Sequence, residues 1–235
     1  MGDLPGRTSR TIVRLPLLVH SLASGLRNSA SISRPDVSRA EKAEWLRGRC
    51  LETLKRLHVA VSTRSPLPGP GLIVANHLGY LDIVVLGSIL PCVFVSKAEV
   101  ENWPVFGSYA RRSGTVFLRR SRKTDTSRAN SEIVQCLASG VRVVLFPEGT
   151  SSDGSSVHRF HASLLQPAVD VGAVITPCAI AYEADQGSVE RDVCYWGEMT
   201  FGPHLLKLLG IRTVRAHVAF GMPVIAHGDR KALAL

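Results

Sequence analysis

The sequence has few aromatic side chains, and this scarcity narrows the classes of partner. Phe, Tyr and Trp make up 6% of the 235 residues. The chain has no alternation of basic and aromatic residues of the kind that stacks on single-stranded nucleic acid. Its formal net charge of +9 nevertheless suggests an anionic partner. Among nucleic acid, an anionic membrane surface and acidic small molecules, we expect one of the last two and no nucleic acid.

The sequence also lacks paired cysteines. Its five cysteines are spread between Cys50 and Cys194, with no Cys-x-x-Cys pair and no metal-binding spacing. Most of them lie in apolar stretches, where a reduced thiol serves as a small core side chain. We therefore expect reduced cysteines in a cytosolic setting, and no metal site.

Long apolar runs are missing as well. No stretch reaches the roughly 18 consecutive apolar residues that a membrane span needs. The N-terminus shows no signal-peptide core followed by a small-residue cleavage site. With 45% hydrophobic residues over 235 positions, the chain is long enough for one sizeable α/β domain. We expect this domain to face the cytosol and to meet a membrane from one side only.

Residues 1–58 form a segment ahead of the predicted α/β domain. The apolar stretch 11–20 is interrupted by Arg14 and Pro16, and Pro16 argues against one long helix. This stretch fits a flexible leader with a short packed helix, and it equally fits an interfacial anchor whose arginines meet anionic headgroups. A second helix is predicted over about 36–58, where apolar residues recur at helical spacing.

The chain is organised around Asn76–Asp82, with the sequence NHLGYLD. It follows a short apolar run typical of a buried strand and precedes 83–86, which we interpret as the body of a helix. A helix that begins near Leu78 would hold His77 at its N-terminus and Asp82 about one turn on. The carboxylate then accepts a hydrogen bond from one imidazole nitrogen and leaves the other as a base. On spacing alone, the pair also fits an ordinary hydrogen-bonded histidine and a carboxylate that offsets the helix dipole.

A second motif, Phe146–Thr150 (FPEGT), comes directly after the apolar run 141–145. Pro147 and Gly149 favour a tight turn, which presents Glu148 and backbone N–H groups at the end of the predicted strand. Alone, this stretch fits a plain strand-ending turn as well.

An Asn-His-x4-Asp block followed by Phe-Pro-Glu-Gly-Thr resembles the glycerolipid acyltransferase family, which acylates glycerol-3-phosphate and 1-acylglycerol-3-phosphate. Residues 114–119 are similar to the family's Gly-x-x-Phe-x-Arg block, and 174–179 to its fourth block, an apolar strand with a central proline. The blocks keep the family's order, and the resemblance spans about 54–224. It implies an α/β fold: a mixed, mostly parallel sheet flanked by helices, after an N-terminal helical segment. The alternating strand and helix patterns over 59–235 independently support an α/β catalytic domain.

The resemblance also implies a reaction. A fatty acyl group would pass from a thioester, either acyl-CoA or acyl carrier protein, to the free hydroxyl of a lysolipid without a further cofactor. His77 would take the hydroxyl proton, and Asp82 would orient His77 and stabilise the imidazolium. The backbone N–H groups of Gly149 and Thr150 are candidate donors to the oxyanion.

Further residues are expected to bind substrate by the same resemblance. Arg119 stands where the family holds the acceptor's phosphate, and a planar guanidinium suits such a group. Asn76 and Glu148 are candidates either to fix the catalytic loops or to bind the acceptor. Lys97 and Arg120 are additional candidates near the acceptor, and both also fit solvated charges.

The motifs leave the acceptor open. The family default is 1-acyl-sn-glycerol-3-phosphate, which gives phosphatidic acid, and we place it first. Residues 150–154, 196–199 and 203–205 are similar to bacterial members that O-acylate lyso-ornithine lipid, an acceptor with a carboxylate and an amine instead of a phosphate. A basic peripheral lipid-binding protein is the non-enzyme alternative, against which the presence of both His77 and Asp82 argues. We expect a peripheral position on the cytoplasmic face of the inner (plasma) membrane.

Overall fold

The computed structural model describes residues 4–119 and 123–234, which form one mixed sheet with helices on both faces. The strands are β1 Val59–Thr63, β2 Leu72–Ala75, β3 Cys92–Lys97, β4 Val116–Leu118, β5 Arg142–Leu145, β6 Val174–Ala184, β7 Val214–Phe220 and β8 Val224–Ile225. The helices are α1 Leu4–Arg27, α2 Arg39–Leu57, α3 Tyr80–Ile89, α4 Phe106–Arg112, α5 Lys123–Ala138, α6 Gln166–Asp170 and α7 Phe201–Gly210.

The strand order is β1-β7-β6-β2-β5-β3-β4, with β8 pairing to β6. Parallel pairs join β2 to both β5 and β6, β3 to both β4 and β5, and β1 to β7. The pairs of β6 with β7 and with β8 are antiparallel. The predicted mixed, mostly parallel sheet is therefore confirmed, and β2, which carries the first motif at its end, lies in the middle of it.

Burial of β2 explains why its sequence is apolar throughout. Leu72 and Val74 belong to a core beneath α5 and α6, whereas Ile73 and Ala75 belong to a second core beneath α2, α3 and α7. A strand buried on both faces needs apolar residues at every position. The loop of the first motif, which follows, is consequently anchored to a strand buried on both faces.

The N-terminal helix differs from its prediction, because α1 continues through Pro16 as one helix. Its stability comes from tertiary contacts: the buried guanidinium of Arg14 donates hydrogen bonds to the carbonyls of Leu209, Ile211 and Arg212 at the end of α7. These contacts offset the backbone bond that proline removes. None of the helices in the described part of the chain is long and apolar enough to cross a membrane.

The predicted helix over 36–58 is confirmed as α2. Ser38 caps its N-terminus, and the Glu41 carboxylate accepts a hydrogen bond from the Ser38 N–H at 2.8 Å, which completes a capping box. The buried face of α2 packs into the same core as α3 and β2. The boundary at residue 58 between two segments stays a prediction, although the two segments share this core.

The helix of the first motif begins at Tyr80, two residues after the predicted start, because Gly79 takes the N-cap. After the second motif, a 3-10 turn at Ala162–Leu165 leads into the short α6. Pro167 occupies the first turn of α6, where its missing N–H costs no hydrogen bond.

All five cysteines are buried thiols. Burial raises the pKa of Cys50, Cys178 and Cys194 to about 12. It also raises the pKa of the remaining two, Cys92 and Cys136. The thiols are therefore protonated at neutral pH and serve as core side chains.

Candidate active site

The first motif forms a hydrogen-bonded histidine and aspartate at the end of β2. His77 Nδ1 donates to Asp82 Oδ2 at 2.8 Å. His77 is 20% exposed, whereas Asp82 is 0% exposed. Because the carboxylate fixes the proton on Nδ1, Nε2 is left with a lone pair. The hydrogen bond between the two side chains is as predicted, and the role of His77 as a base stays a prediction.

The desolvation cost of burying the Asp82 carboxylate is offset because four hydrogen-bond donors surround it. Besides His77, the backbone N–H groups of Leu78 and Gly79 donate to Oδ2 at 2.6 and 3.0 Å. The Tyr182 hydroxyl donates to Oδ1 at 2.6 Å. Burial and the neighbouring carboxylate raise the pKa of Tyr182 well above its usual value, so the phenol stays a donor. A buried carboxylate with this many donors keeps one orientation.

The second motif is tied to the first by Glu148. Its carboxylate accepts the His77 N–H and the His158 N–H, both at 2.7 Å. Glu148 is itself buried. With both oxygens engaged by backbone, it fixes the two loops, which is one of its two predicted roles.

Asn76 acts in a similar way on the other side of β2. Its amide exchanges two hydrogen bonds with the backbone of Ile180 in β6, at 3.0 and 2.7 Å. These bonds continue the pairing of β2 with β6 beyond its last residues. Asn76 therefore buttresses the loop of the first motif, which is one of its two predicted roles. Its predicted contact with substrate stays a prediction.

Phe146 and Gly149 shape the turn beside His77. The Phe146 ring stacks on the imidazole, with ring centroids 4.1 Å apart. The Gly149 N–H donates to the Phe146 carbonyl at 3.2 Å, and Gly149 has a φ of 69° that favours glycine. Since this bond closes the turn, it engages one of the two predicted oxyanion donors. The oxyanion role of Thr150 stays a prediction.

A third segment, 194–196, joins both motif loops. The Tyr195 N–H donates to the Leu78 carbonyl at 2.8 Å, and the Ser151 hydroxyl donates to the Tyr195 carbonyl at 2.6 Å. Gly79 makes this approach possible, because a Cβ there would lie 2.8 Å from the Tyr195 nitrogen. The loop between His77 and Asp82 is thus fixed from three sides.

A largely apolar cavity of about 340 Å³ opens beside His77. It lies between α2, α3, α4 and the ends of β3 and β5, and His77, Gly149 and Thr150 are among its lining residues. Its volume falls in the range of small-molecule pockets. The apolar lining suits an alkyl chain. His77 in this lining would lie within reach of a hydroxyl group on a molecule bound in the cavity.

Charged side chains gather where β3 and β4 end, next to this cavity. Lys97 lines the cavity, as do Val100 and Leu118, the residues directly before Glu101 and Arg119. Arg119 is 57% exposed and donates to Glu101 at 3.2 Å. We call Lys97, Glu101 and Arg119 the charged rim. Arg120, a further predicted substrate-binding residue, lies outside the described residues.

Sequence reasoning missed two residues of this arrangement. Tyr182 lies 100 positions after Asp82. The only signal that could have identified it is its position on the inner face of β6. Glu101 belongs to a 3-10 turn, Ala98–Asn102, in which its neighbour Glu99 has the same charge. Nothing local in the sequence distinguishes the two carboxylates.

In the described residues, no group of three His, Cys, Asp or Glu side chains is placed to hold a metal ion. The described arrangement offers an imidazole bound to a buried carboxylate, an apolar cavity and cationic groups near its edge. This set can deprotonate the hydroxyl of an amphiphile whose anionic end stays at the rim.

Comparison with known proteins agrees with this arrangement. A family model described as Acyltransferase matches residues 56–181. Lyso-ornithine lipid O-acyltransferase of Pseudomonas aeruginosa is 33% identical over 234 residues, which covers 96% of this chain and 89% of that protein. The protein of the same name from Brucella abortus is 40% identical over 180 residues, 70% of this chain and 67% of its own length.

Two further similarities concern glycerophosphate enzymes. The 1-acyl-sn-glycerol-3-phosphate acyltransferase of Neisseria meningitidis is 35% identical over 120 residues, which is 51% of this chain and 47% of that protein. The crystal structure of the 1-acyl-sn-glycerophosphate acyltransferase PlsC from Thermotoga maritima superposes with a TM-score of 0.67, at 18% identity, and covers 97% of this chain and 92% of that one. At this identity the superposition establishes the fold. With the matching family model and relatives, it identifies the chain as a member of the acyltransferase family and as an O-acyltransferase.

Proposed function

We propose that the chain moves a fatty acyl group from a thioester to the hydroxyl of a lysolipid, with His77 as general base. The supporting observation is the His77–Asp82 pair at the wall of the apolar cavity. His77 Nε2 takes the hydroxyl proton while the oxygen attacks the thioester carbonyl, and Asp82 stabilises the imidazolium. Collapse of the tetrahedral intermediate forms the ester and expels the thiolate, which receives the proton from His77. Acyl-CoA and acyl carrier protein are both donors of this chemical class.

His77→Ala tests this mechanism. Loss of a general base and its hydrogen bond lowers kcat by about 10²–10⁴-fold. The measurement is the initial rate of ester formation by purified variant and wild type, with melting curves as a check on folding. A variant that melts normally and transfers at the wild-type rate would contradict the mechanism. A variant that still binds lipid but no longer transfers the acyl group would support an enzyme over a protein that only binds lipid.

The acceptor that we propose is lyso-ornithine lipid. Relatives with that name align over more of this chain than the glycerophosphate relatives do, 96% for the Pseudomonas aeruginosa protein against 51% for the Neisseria meningitidis protein. Trp196, at the end of the segment 194–196, also belongs to one of the stretches that are similar to bacterial members acting on lyso-ornithine lipid. The default acceptor, 1-acyl-sn-glycerol-3-phosphate, is the second candidate, and the 35% identity to the Neisseria meningitidis enzyme favours it.

One assay separates the two acceptors. Purified protein receives one acyl donor and either lyso-ornithine lipid or lysophosphatidic acid, and the ester product is quantified. Product from lyso-ornithine lipid at the higher kcat/KM supports the proposal. Product from lysophosphatidic acid alone would move the protein to phospholipid synthesis and leave the His77 mechanism unchanged.

We also propose that α1 rests on an anionic membrane surface. Its outward side exposes Ile12, Val13, Leu17 and Val19. A groove of about 350 Å³ beside Val13 and Leu17 is lined by cations from α1 and α2, including Lys55 and Arg56. Apolar side chains next to cations are typical of interfacial helices.

Vesicle sedimentation tests this position. Binding to vesicles with anionic phospholipid should exceed binding to zwitterionic vesicles, and Val13→Glu should weaken it. Val157→Glu, which alters an exposed valine of a loop, is the matched control. Equal sedimentation of all three proteins would contradict a role of α1 at the membrane.

A further inference from the structure

The position of Glu101 in the charged rim is unusual for a site that must hold an anion. Its carboxylate lies 3.2 Å from the guanidinium nitrogen of Arg119, the residue at the family's phosphate position. An acidic partner offsets the charge that would attract a phosphate. The rim therefore offers an incoming headgroup a negative group as well as positive ones.

The backbone holds Glu101 in this position. Its carbonyl accepts a hydrogen bond from the Arg111 guanidinium of α4. Gly107, also in α4, packs so closely that a Cβ there would lie 2.1 Å from the same carbonyl oxygen. The Ala98–Asn102 turn is thus fixed against α4, and the Glu101 side chain is directed by a fixed main chain toward the end of β4.

The contact between the two side chains is weak enough to be exchanged. Glu101 is 29% exposed and Arg119 57%, and ion pairs in such surroundings contribute little to stability. A headgroup that carries one charge of each sign replaces the contact with two new ones: its carboxylate on Arg119 and its ammonium on Glu101. Glu101 and Arg119 each keep a partner of opposite charge in this exchange.

A phosphate monoester has a different effect on the same pair. It carries about 1.5 to 2 negative charges near pH 7. Bound at Arg119, it would lie next to the Glu101 carboxylate, and like charges at this separation repel. Discrimination between two ligands often depends on such a repulsive element.

We propose that Glu101 is a specificity-determining residue that binds the ammonium group of a zwitterionic acceptor while Arg119 binds its carboxylate. This inference rests on the proposed function, since it concerns the same acceptor site. It selects acceptors with the charges of lyso-ornithine lipid, and it disfavours lysophosphatidic acid through repulsion.

Glu101→Gln tests the role of the charge, since glutamine keeps the size and the hydrogen-bonding ability of the side chain. We expect kcat/KM for lyso-ornithine lipid to fall about ten-fold, mainly through KM, and kcat/KM for lysophosphatidic acid to stay equal or rise. The matched control is Glu99→Gln, which removes the same charge from an exposed position of the same turn. This control should leave both values within about two-fold, as expected of an exposed charge.

A modified acceptor isolates the ammonium contact. Acetylation of the amine of lyso-ornithine lipid removes its positive charge and leaves its carboxylate. Wild type should lose about as much kcat/KM on this acceptor as Glu101→Gln loses on the unmodified one. The Glu101→Gln variant should hardly respond to acetylation, because the two changes remove the same interaction.

The outcomes distinguish this inference from the proposed function. Wild type that acylates lyso-ornithine lipid, with a Glu101→Gln variant that behaves like it, overturns the inference alone. Equal losses on both acceptors also overturn it, because they indicate that Glu101 only positions Arg119. Wild type that acylates lysophosphatidic acid alone overturns the proposed acceptor and this inference together.

Discussion

The catalytic pair and the charged rim treat charge in opposite ways. Asp82 is fully buried and receives four hydrogen bonds, from a side chain on each flank and from two backbone groups. Arg119 and Glu101 meet at an exposed edge. A buried carboxylate whose donors all converge on it has one arrangement, whereas exposed ion pairs exchange partners at little cost. Under the proposed function, the buried pair sets the reaction and the exposed edge sets the choice of acceptor.

Asp82→Asn should have the largest effect, because it alters the buried His77–Asp82 pair. An amide cannot accept from all four donors, so it favours the wrong imidazole tautomer and leaves buried donors unpaired. We expect kcat to fall by roughly 10³–10⁴-fold, as in a serine protease triad with the same change. Initial rates at saturating acceptor measure it. A rate within ten-fold of wild type, from a protein that melts normally, would contradict the assigned role.

Tyr182→Phe should have an intermediate effect. It removes one donor to Asp82 Oδ1 and leaves the ring in the core. An unsatisfied buried acceptor costs about 1–3 kcal/mol, so we expect kcat to fall about ten-fold with KM unchanged. The control is Ser88→Ala, which removes a buried hydroxyl of α3 that donates to the Val85 carbonyl. Equal rates for both variants would mean that any loss reflects general weakening of α3.

Arg119→Gln should weaken acceptor binding at the charged rim and leave the buried His77–Asp82 pair unchanged. A hydrogen bond from a guanidinium to an anion contributes about 1.5–3 kcal/mol in favourable geometry. Because solvent exposure weakens this contribution, we expect the acceptor KM to rise about ten-fold. kcat should stay within about three-fold. Arg128→Gln provides the control, since Arg128 is exposed on α5 and pairs with Glu132 at 3.1 Å. A fall in kcat with constant KM would place Arg119 in the chemical step and remove the contrast between the two regions.

The smallest expected effect concerns pH and a buried histidine near the site. Burial lowers the pKa of His204 below its usual 6.5. The unfolded chain therefore takes up a proton below pH 6.5 before the folded chain does, and the free energy of unfolding falls as the pH falls. The loss amounts to at most about 1.4 kcal/mol per pH unit.

Urea unfolding at pH 7.5 and 5.5, in wild type and in His204→Gln, measures this contribution. The free energy of unfolding should fall less in the variant across the two conditions. An identical fall in both proteins would assign the pH dependence to other groups. His58 is one such group, because burial lowers its pKa also.

The sequence was sufficient for the contact between His77 and Asp82, because five positions across a strand-to-helix turn leave few arrangements. It was insufficient to identify the hydrogen-bond partners of Asn76 and Glu148. For both residues, sequence reasoning left open a contact with substrate and a contact with the loops. Their partners are backbone groups of Ile180 and His158, and main-chain groups look the same in every sequence. Local reasoning reaches contacts within one turn and fails where two distant segments meet.

The same limit explains the error at Pro16. Proline disfavours a helix interior when only local bonds are considered. The carbonyls at the end of α7, about 200 positions away, attract Arg10 and Arg14 and hold α1 in one piece. Helical propensity was outweighed by tertiary hydrogen bonds that a sequence window does not contain.

The burial of every thiol has a practical consequence for following acceptor binding. Thiol reagents attack thiolates at accessible positions, and five buried sulfurs with raised pKa values should react slowly in the folded protein. A cysteine introduced as Glu99→Cys would then be labelled selectively without prior removal of the native five. A fluorophore at that position would sit two residues from Glu101, where its emission can report the arrival of a headgroup in real time.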